Sequence, residues 1–124
     1  ALATALAVGA ASCGEPPPDG ASSPDPVQLA ADGKRIAIAN GCAACHGTDG
    51  QGGIGPTWIG LAGTMVELDD GSTVLADDDY LRRAIVDPSA EIRPGWTVNM
   101  PQQSFAPGDV DAMIAYIRSL GPSE

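Results

Sequence analysis

A mainly α-helical domain, three or more helices with one small β-hairpin inserted, is what this sequence predicts. Three observations carry that expectation. Cys42-Ala43-Ala44-Cys45-His46 places two thiols three residues apart with an imidazole directly after the second. Three segments show helical patterning or helix-end signals, one around that pentapeptide, one after Asp77 and one near the C-terminus. A single Asp-Gly turn separates two short strand-like segments. A Cys-x-x-Cys-His run is the attachment signature of a covalently held haem, so the helices are expected to pack around one such group.

The first helix is expected from Gln28 to Cys45 with an interruption at Gly41. On a helix, residues i and i+3 share a face, so both sulfurs reach the same porphyrin edge as thioethers. His46 follows to ligate the iron, and Gly47 lets the chain leave the helix. A glycine-rich loop runs from Gly47 to Gly63. Met65 to Leu68 and Ser72 to Leu75 then flank Asp69-Asp70-Gly71, a hairpin signal. Asp77 is placed to cap the next helix, with Asp78 and Asp79 suited to its positive end. Leu81, Ala84 and Ile85 form its apolar face, and Asp87-Pro88 ends it. Residues 88–106 lack periodicity and read as loop. The last helix is expected to start near Pro107, with Val110, Met113, Ile114, Ile117 and Leu120 as its buried stripe and Gly121-Pro122 as its stop.

Composition supports a bound group. Aromatic residues make up 4% of the 124-residue chain, which leaves a thin core that a buried haem would fill. The net charge of −10 argues against a nucleic acid partner, whose phosphates attract Lys and Arg. It suits docking to a basic protein surface, or simply solubility.

The chain divides into three parts. Residues 1–12 are apolar and uncharged, too short to span a bilayer, and read as a signal-peptide remnant. Ala10-Ala11-Ser12-Cys13-Gly14 resembles a bacterial lipobox, with Ala10 where Leu is usual. Cys13 is also the odd cysteine of three, so it is the expected site of lipidation. Residues 13–29 form a Pro-rich linker expected to hold the domain away from a lipid-anchored N-terminus. Residues 30–124 are the haem domain.

Competing uses of the cysteines fail on the same inventory. A zinc site commonly needs a second cysteine pair or two histidines, and the chain has one His in total. A thioredoxin-like site needs a βαβ context that the pattern lacks. Gly50-Gln51-Gly52-Gly53-Ile54-Gly55 matches a dinucleotide fingerprint, but a helix precedes it and Pro56 follows, so its glycines are read as letting the backbone pass close to the haem.

With no second His, the iron's other axial ligand within the chain is sought among three methionines. Met113 lies on the last helix's apolar stripe and Met65 at the start of the hairpin. Met100, followed by Pro101 in an irregular loop, is the favoured ligand and Met65 the next; an iron bound on one face only, with Met100 merely packing, is the alternative. A thioether raises the potential relative to a second imidazole, and two protein ligands leave no open site for substrate. The Pro56 carbonyl is expected to accept the hydrogen bond of the other His46 ring nitrogen. Trp58 and Trp96 carry indole N–H groups able to reach haem propionates, and Arg93 offers a matching charge.

On these residues the chain resembles class I c-type cytochromes from about Ala30 to Leu120. The likeness rests on Gly33, Cys42-Ala43-Ala44-Cys45-His46-Gly47, Gly55-Pro56, Met100-Pro101 and a final helix bearing Tyr116. It implies that the first and last helices cross closely, a small residue (Gly33) against an aromatic (Tyr116). Ala37 stands where an aromatic is frequent. The stretches 50–57, 67–74 and 80–88 are more narrowly similar to the haem c domain of caa-type oxidase subunit II. They are also similar to the mono-haem lipoprotein subunit of alternative complex III, which Cys13 and the short linker favour. The resemblance implies a carrier of single electrons on the outer, periplasmic face of a bacterial inner membrane, in a respiratory or photosynthetic chain. Its partners would be a quinol-oxidising membrane complex and a terminal oxidase or soluble redox protein. A haem peroxidase would instead need an open iron site, and a haem sensor a linked output domain.

Overall fold

The computed structural model describes residues 22–122 together with Gly9, Gly14 and Gly20. Cys13 and most of the segment read as leader and linker lie outside the described residues. Four helices and one hairpin follow in order: α1 (Pro26–Ala39), α2 (Cys42–His46), β1 (Met65–Glu67), β2 (Thr73–Leu75), α3 (Asp78–Val86) and α4 (Asp109–Ser119).

Asp25 caps α1, its side chain accepting from the Val27 N–H at 2.8 Å, and Pro26 occupies the first turn, where a missing N–H costs nothing. The helix therefore begins two residues before the expected Gln28, and its first turn lies within the segment read as linker. Asn40 closes it, and Gly41, at φ 79°, turns the chain so that α2 starts as a separate helix. The anticipated interruption is thus a full break, and it re-aims the pentapeptide relative to α1.

α1 packs most extensively on α4. Gly33 makes this possible: a Cβ there would run into the Ala112 carbonyl and stand 2.9 Å from the Met113 nitrogen. Ala37, at 2% exposure, lies on the same buried face of α1. The small residue thus meets the α4 backbone at Ala112 and Met113 rather than the expected aromatic, Tyr116, which is buried further along the same helix.

In the hairpin Met65 pairs with Leu75, Val66 with Val74 and Glu67 with Thr73. The Asp70 carboxylate accepts from the Ser72 hydroxyl at 2.6 Å and the Ser72 N–H at 2.8 Å, which fixes the turn and holds that carboxyl below its ordinary range. Val66 points into the core while Met65 stands out in solvent, as strand alternation requires.

α3 is capped by Asp77, whose side chain accepts from the Tyr80 N–H at 2.8 Å. Tyr80, Leu81 and Ile85 are buried, Leu81 most completely. α4 begins at Asp109, later than Pro107 suggested, because Gly108 at φ 85° interrupts any helical run from the proline. Val110, Met113, Ile114 and Ile117 form its buried stripe with Tyr116 beside them. Among the described residues no helix is long and apolar enough to cross a membrane.

Candidate haem site

α2 is short, so its last carbonyls need partners outside the helix. The following loop supplies them. The Gly52 N–H donates to the His46 carbonyl at 2.7 Å and the Gly55 N–H to the Cys45 carbonyl at 2.9 Å. The loop is thereby folded back over α2. It brings the Pro56 carbonyl 2.8 Å from Nδ1 of His46. Because a proline carbonyl only accepts, Nδ1 carries the proton, and Nε2 keeps its lone pair for a metal.

His46 is 8% exposed. Burial pushes its pKa below the ordinary imidazole value, against the opposing pull of Pro56, which favours the neutral ring, the form that ligates. The Gly55 backbone lies on one side of the ring, so close that a Cβ there would be 2.9 Å from Cε1. The Trp58 indole stacks on it at a centroid distance of 4.6 Å and an interplanar angle of 20°. Trp58 in turn meets the edge of Tyr116, centroids 6.0 Å apart at 90°.

His46 opens onto a cavity of about 330 Å³. Its walls include Cys42 and Cys45 from α2, Pro56 and Trp58 from the loop, Tyr80, Leu81 and Ile85 from α3, and Arg93, Trp96 and Met100 from the long loop after α3. Cys42, Cys45, His46, Pro56, Trp96 and Met100, all read from sequence as haem contacts, line this one cavity, as do Trp58 and Arg93. Both thiols are free, and burial raises the pKa of Cys42. The Met100 loop is tied to α3 where the Gln102 side-chain amide donates to the Val86 carbonyl at 2.8 Å. Met65 is 62% exposed and is not among the residues lining the cavity, and Met113 is buried in the helical core.

The cavity wall carries little charge. Five of the chain's six cationic side chains pair with carboxylates: Lys34–Asp49, Arg35–Asp32, Arg82–Asp111, Arg83–Glu91 and Arg118–Asp78. Arg93 makes no such pair among the described residues and faces the cavity.

Two features escaped the sequence reading. Trp58, read as a propionate donor or a plain core residue, has the His46 ring as its stacking partner, and no spacing rule announces a stack formed by a loop folding back. Gly55 serves as a thin wall against the imidazole; the glycine-rich stretch hinted at a close approach but not at its partner.

A mainly helical fold around an apolar cavity, with a neutral imidazole, two free thiols one helical turn apart and a thioether on its walls, defines a haem c protein. The cytochrome c family model matches residues 30–121, and the chain belongs to that family. Cytochrome cH from Methylobacterium extorquens is similar in structure, with a TM-score of 0.52 and 28% identity over 73% of this chain and 97% of that one. A comparison with curated proteins finds no match. The protein has the class I cytochrome c fold, binds one covalent haem c and is an electron-transfer protein rather than an enzyme.

Proposed function

We propose that this chain carries single electrons as a membrane-tethered subunit, with Cys42 and Cys45 as thioether anchors and His46 and Met100 as the two iron ligands. When bound, the haem supplies a one-electron couple. The protein's own residues keep that couple free of other chemistry. Pro56 holds the His46 proton on Nδ1, Gln102 anchors the Met100 loop, and the apolar walls contributed by α3 exclude water. Were His46 and Met100 both to hold the iron, no position would be left for O₂ or peroxide, which sets this reading against a peroxidase. Arg93 and Trp96, both on the cavity wall, would supply the charge and the N–H for the haem propionates. The single observation that carries the proposal is the convergence of His46 and Met100, 54 positions apart in sequence, on one apolar cavity.

Cys13 is the proposed lipid attachment point, holding the domain by residues 13–29 at the outer face of a bacterial inner membrane. The upstream partner is a quinol-oxidising complex of the alternative complex III type, and the downstream partner a terminal oxidase or a soluble redox protein. The narrow sequence likeness and the lipobox-like Cys13 support this placement. Purification from the native membrane tests it. Mass analysis should find an acylated Cys13 as the mature N-terminus, with quinol-oxidising subunits co-purifying. An unmodified N-terminus and release without detergent would refute the tether.

A further inference from the structure

We infer that Trp58 is a positioning residue for His46: its indole sets the plane of the imidazole and, through it, the redox equilibrium of the site. The inference rests on His46 being the iron ligand.

A single hydrogen bond cannot fix a ring. The Nδ1–H bond to Pro56 holds one atom of His46 but leaves the imidazole free to rock about that contact. Rotation must be blocked by the ring faces. One side is closed by the Gly55 backbone, where even a methyl group would not fit. The Trp58 indole stacks on the ring at 4.6 Å and 20°. The indole is itself held. Its backbone N–H donates to the Gly50 carbonyl at 2.8 Å, and its own carbonyl accepts from the Leu61 N–H at 3.1 Å. Its ring abuts the edge of Tyr116 at 90°. Tyr116 is fixed in α4, the helix that α1 crosses most closely. Three rings thus connect the helix crossing to the ligand.

Tyr116 takes part as a ring and not as a phenol. Among the described residues its buried hydroxyl has no hydrogen-bond partner, so the ring edge is what it brings to the stack.

The stack also acts electrostatically. An imidazole carries more positive charge when the iron it holds is oxidised. The negative face of an indole favours that charge, as in a cation–π contact. Trp58 therefore favours the oxidised state, and removing its π face without opening the site to water raises the potential.

The test uses the matured, haem-loaded protein and three variants: Trp58→Leu, Trp58→Phe and Tyr116→Phe. Electron paramagnetic resonance of the oxidised form reports the imidazole plane through its g anisotropy, and a redox titration reports the equilibrium. Trp58→Leu is expected to change the g anisotropy and shift the equilibrium about threefold toward the reduced form, about 28 mV at 59 mV per tenfold for one electron. Trp58→Phe should shift it in the same direction by less than half as much, and Tyr116→Phe should leave both readouts as in the wild type. If Trp58→Leu does not mature, Trp58→Phe and Tyr116→Leu carry the same test, the latter leaving the indole in place but unbraced. Unchanged g values and potential with His ligation intact would overturn the inference alone. Loss of His ligation in the wild type itself would overturn the reading of the site on which it rests.

Discussion

Gly33 of α1 and Ala112 of α4 touch backbone to backbone, with no room for a single carbon between the glycine Cα and the alanine carbonyl. This contact sets how closely the N- and C-terminal helices cross, and so where α4 presents Tyr116 to Trp58. Gly33→Ala forces the helices apart. Overpacking of this kind costs about 1–3 kcal/mol, and the clashing atoms here are backbone, which cannot step aside. Chemical denaturation of the holoprotein should show a loss in the upper part of that range with the midpoint lowered and the slope unchanged.

Gly55→Ala tests the wall beside His46. Its Cβ would lie 2.9 Å from Cε1 and 3.1 Å from Nδ1 of His46. The imidazole has nowhere to retreat, since Trp58 stacks on it and Pro56 holds Nδ1. The ring must tilt and the Pro56 bond lengthen. The expected outcome is a destabilisation of about 1–3 kcal/mol, accompanied by a measurable change in the oxidised low-spin spectrum. Thr57→Ala, two positions along, removes a hydroxyl that donates to the Gly50 carbonyl and accepts from the Ile59 N–H, neither bond reaching His46, and should leave the spectrum alone.

Much of this was legible in the sequence. Asp77 as a cap, the Asp70-Gly71 turn and the α4 stripe follow from local chemistry, because caps and turns are decided within four residues. Cys42, Cys45 and His46 are legible because attachment geometry demands their spacing. Met100 was reached by elimination among three methionines. The start of α1 was not legible because Asp25-Pro26 sits in a proline-rich run, where a cap followed by a first-turn proline looks like more linker. The start of α4 was misplaced because Pro107 reads as a helix opener until the backbone of Gly108 is known. The Trp58 stack was hidden because it depends on Gly52 and Gly55 folding the loop back over α2, a tertiary event with no periodicity.

Among the described residues Arg93 is the one cation outside the five ion pairs, and it lines the cavity. A positive charge beside the haem favours the reduced state, which carries one positive charge less. Arg93→Gln is expected to lower the midpoint potential without changing the axial ligands. A redox titration at two ionic strengths checks it, and the shift should persist at high salt if the guanidinium is shielded by the haem edge.

The Lys34–Asp49 pair links α1 to the loop after His46 at 2.6 Å. The hydrogen bond and charge of Asp49 raise the Lys34 pKa above 10.5. A raised value means that the folded state holds this proton more tightly than the unfolded state. The contribution is therefore fully present below pH 10.5 and is lost as pH rises through the folded value. Asp49→Asn should lower the denaturation midpoint slightly near neutrality, and the gap between variant and wild type should close at strongly alkaline pH.

The central claim is that His46 and Met100 close the iron from both sides. The absorption spectrum of the oxidised protein tests it most directly, through the sulfur-to-iron charge-transfer band. The band is expected in the wild type and in Met65→Ala, and absent in Met100→Ala, which should also have a lower potential and bind carbon monoxide rapidly when reduced. A band that survives in Met100→Ala, or a wild type that lacks it and binds carbon monoxide at once, would contradict the account.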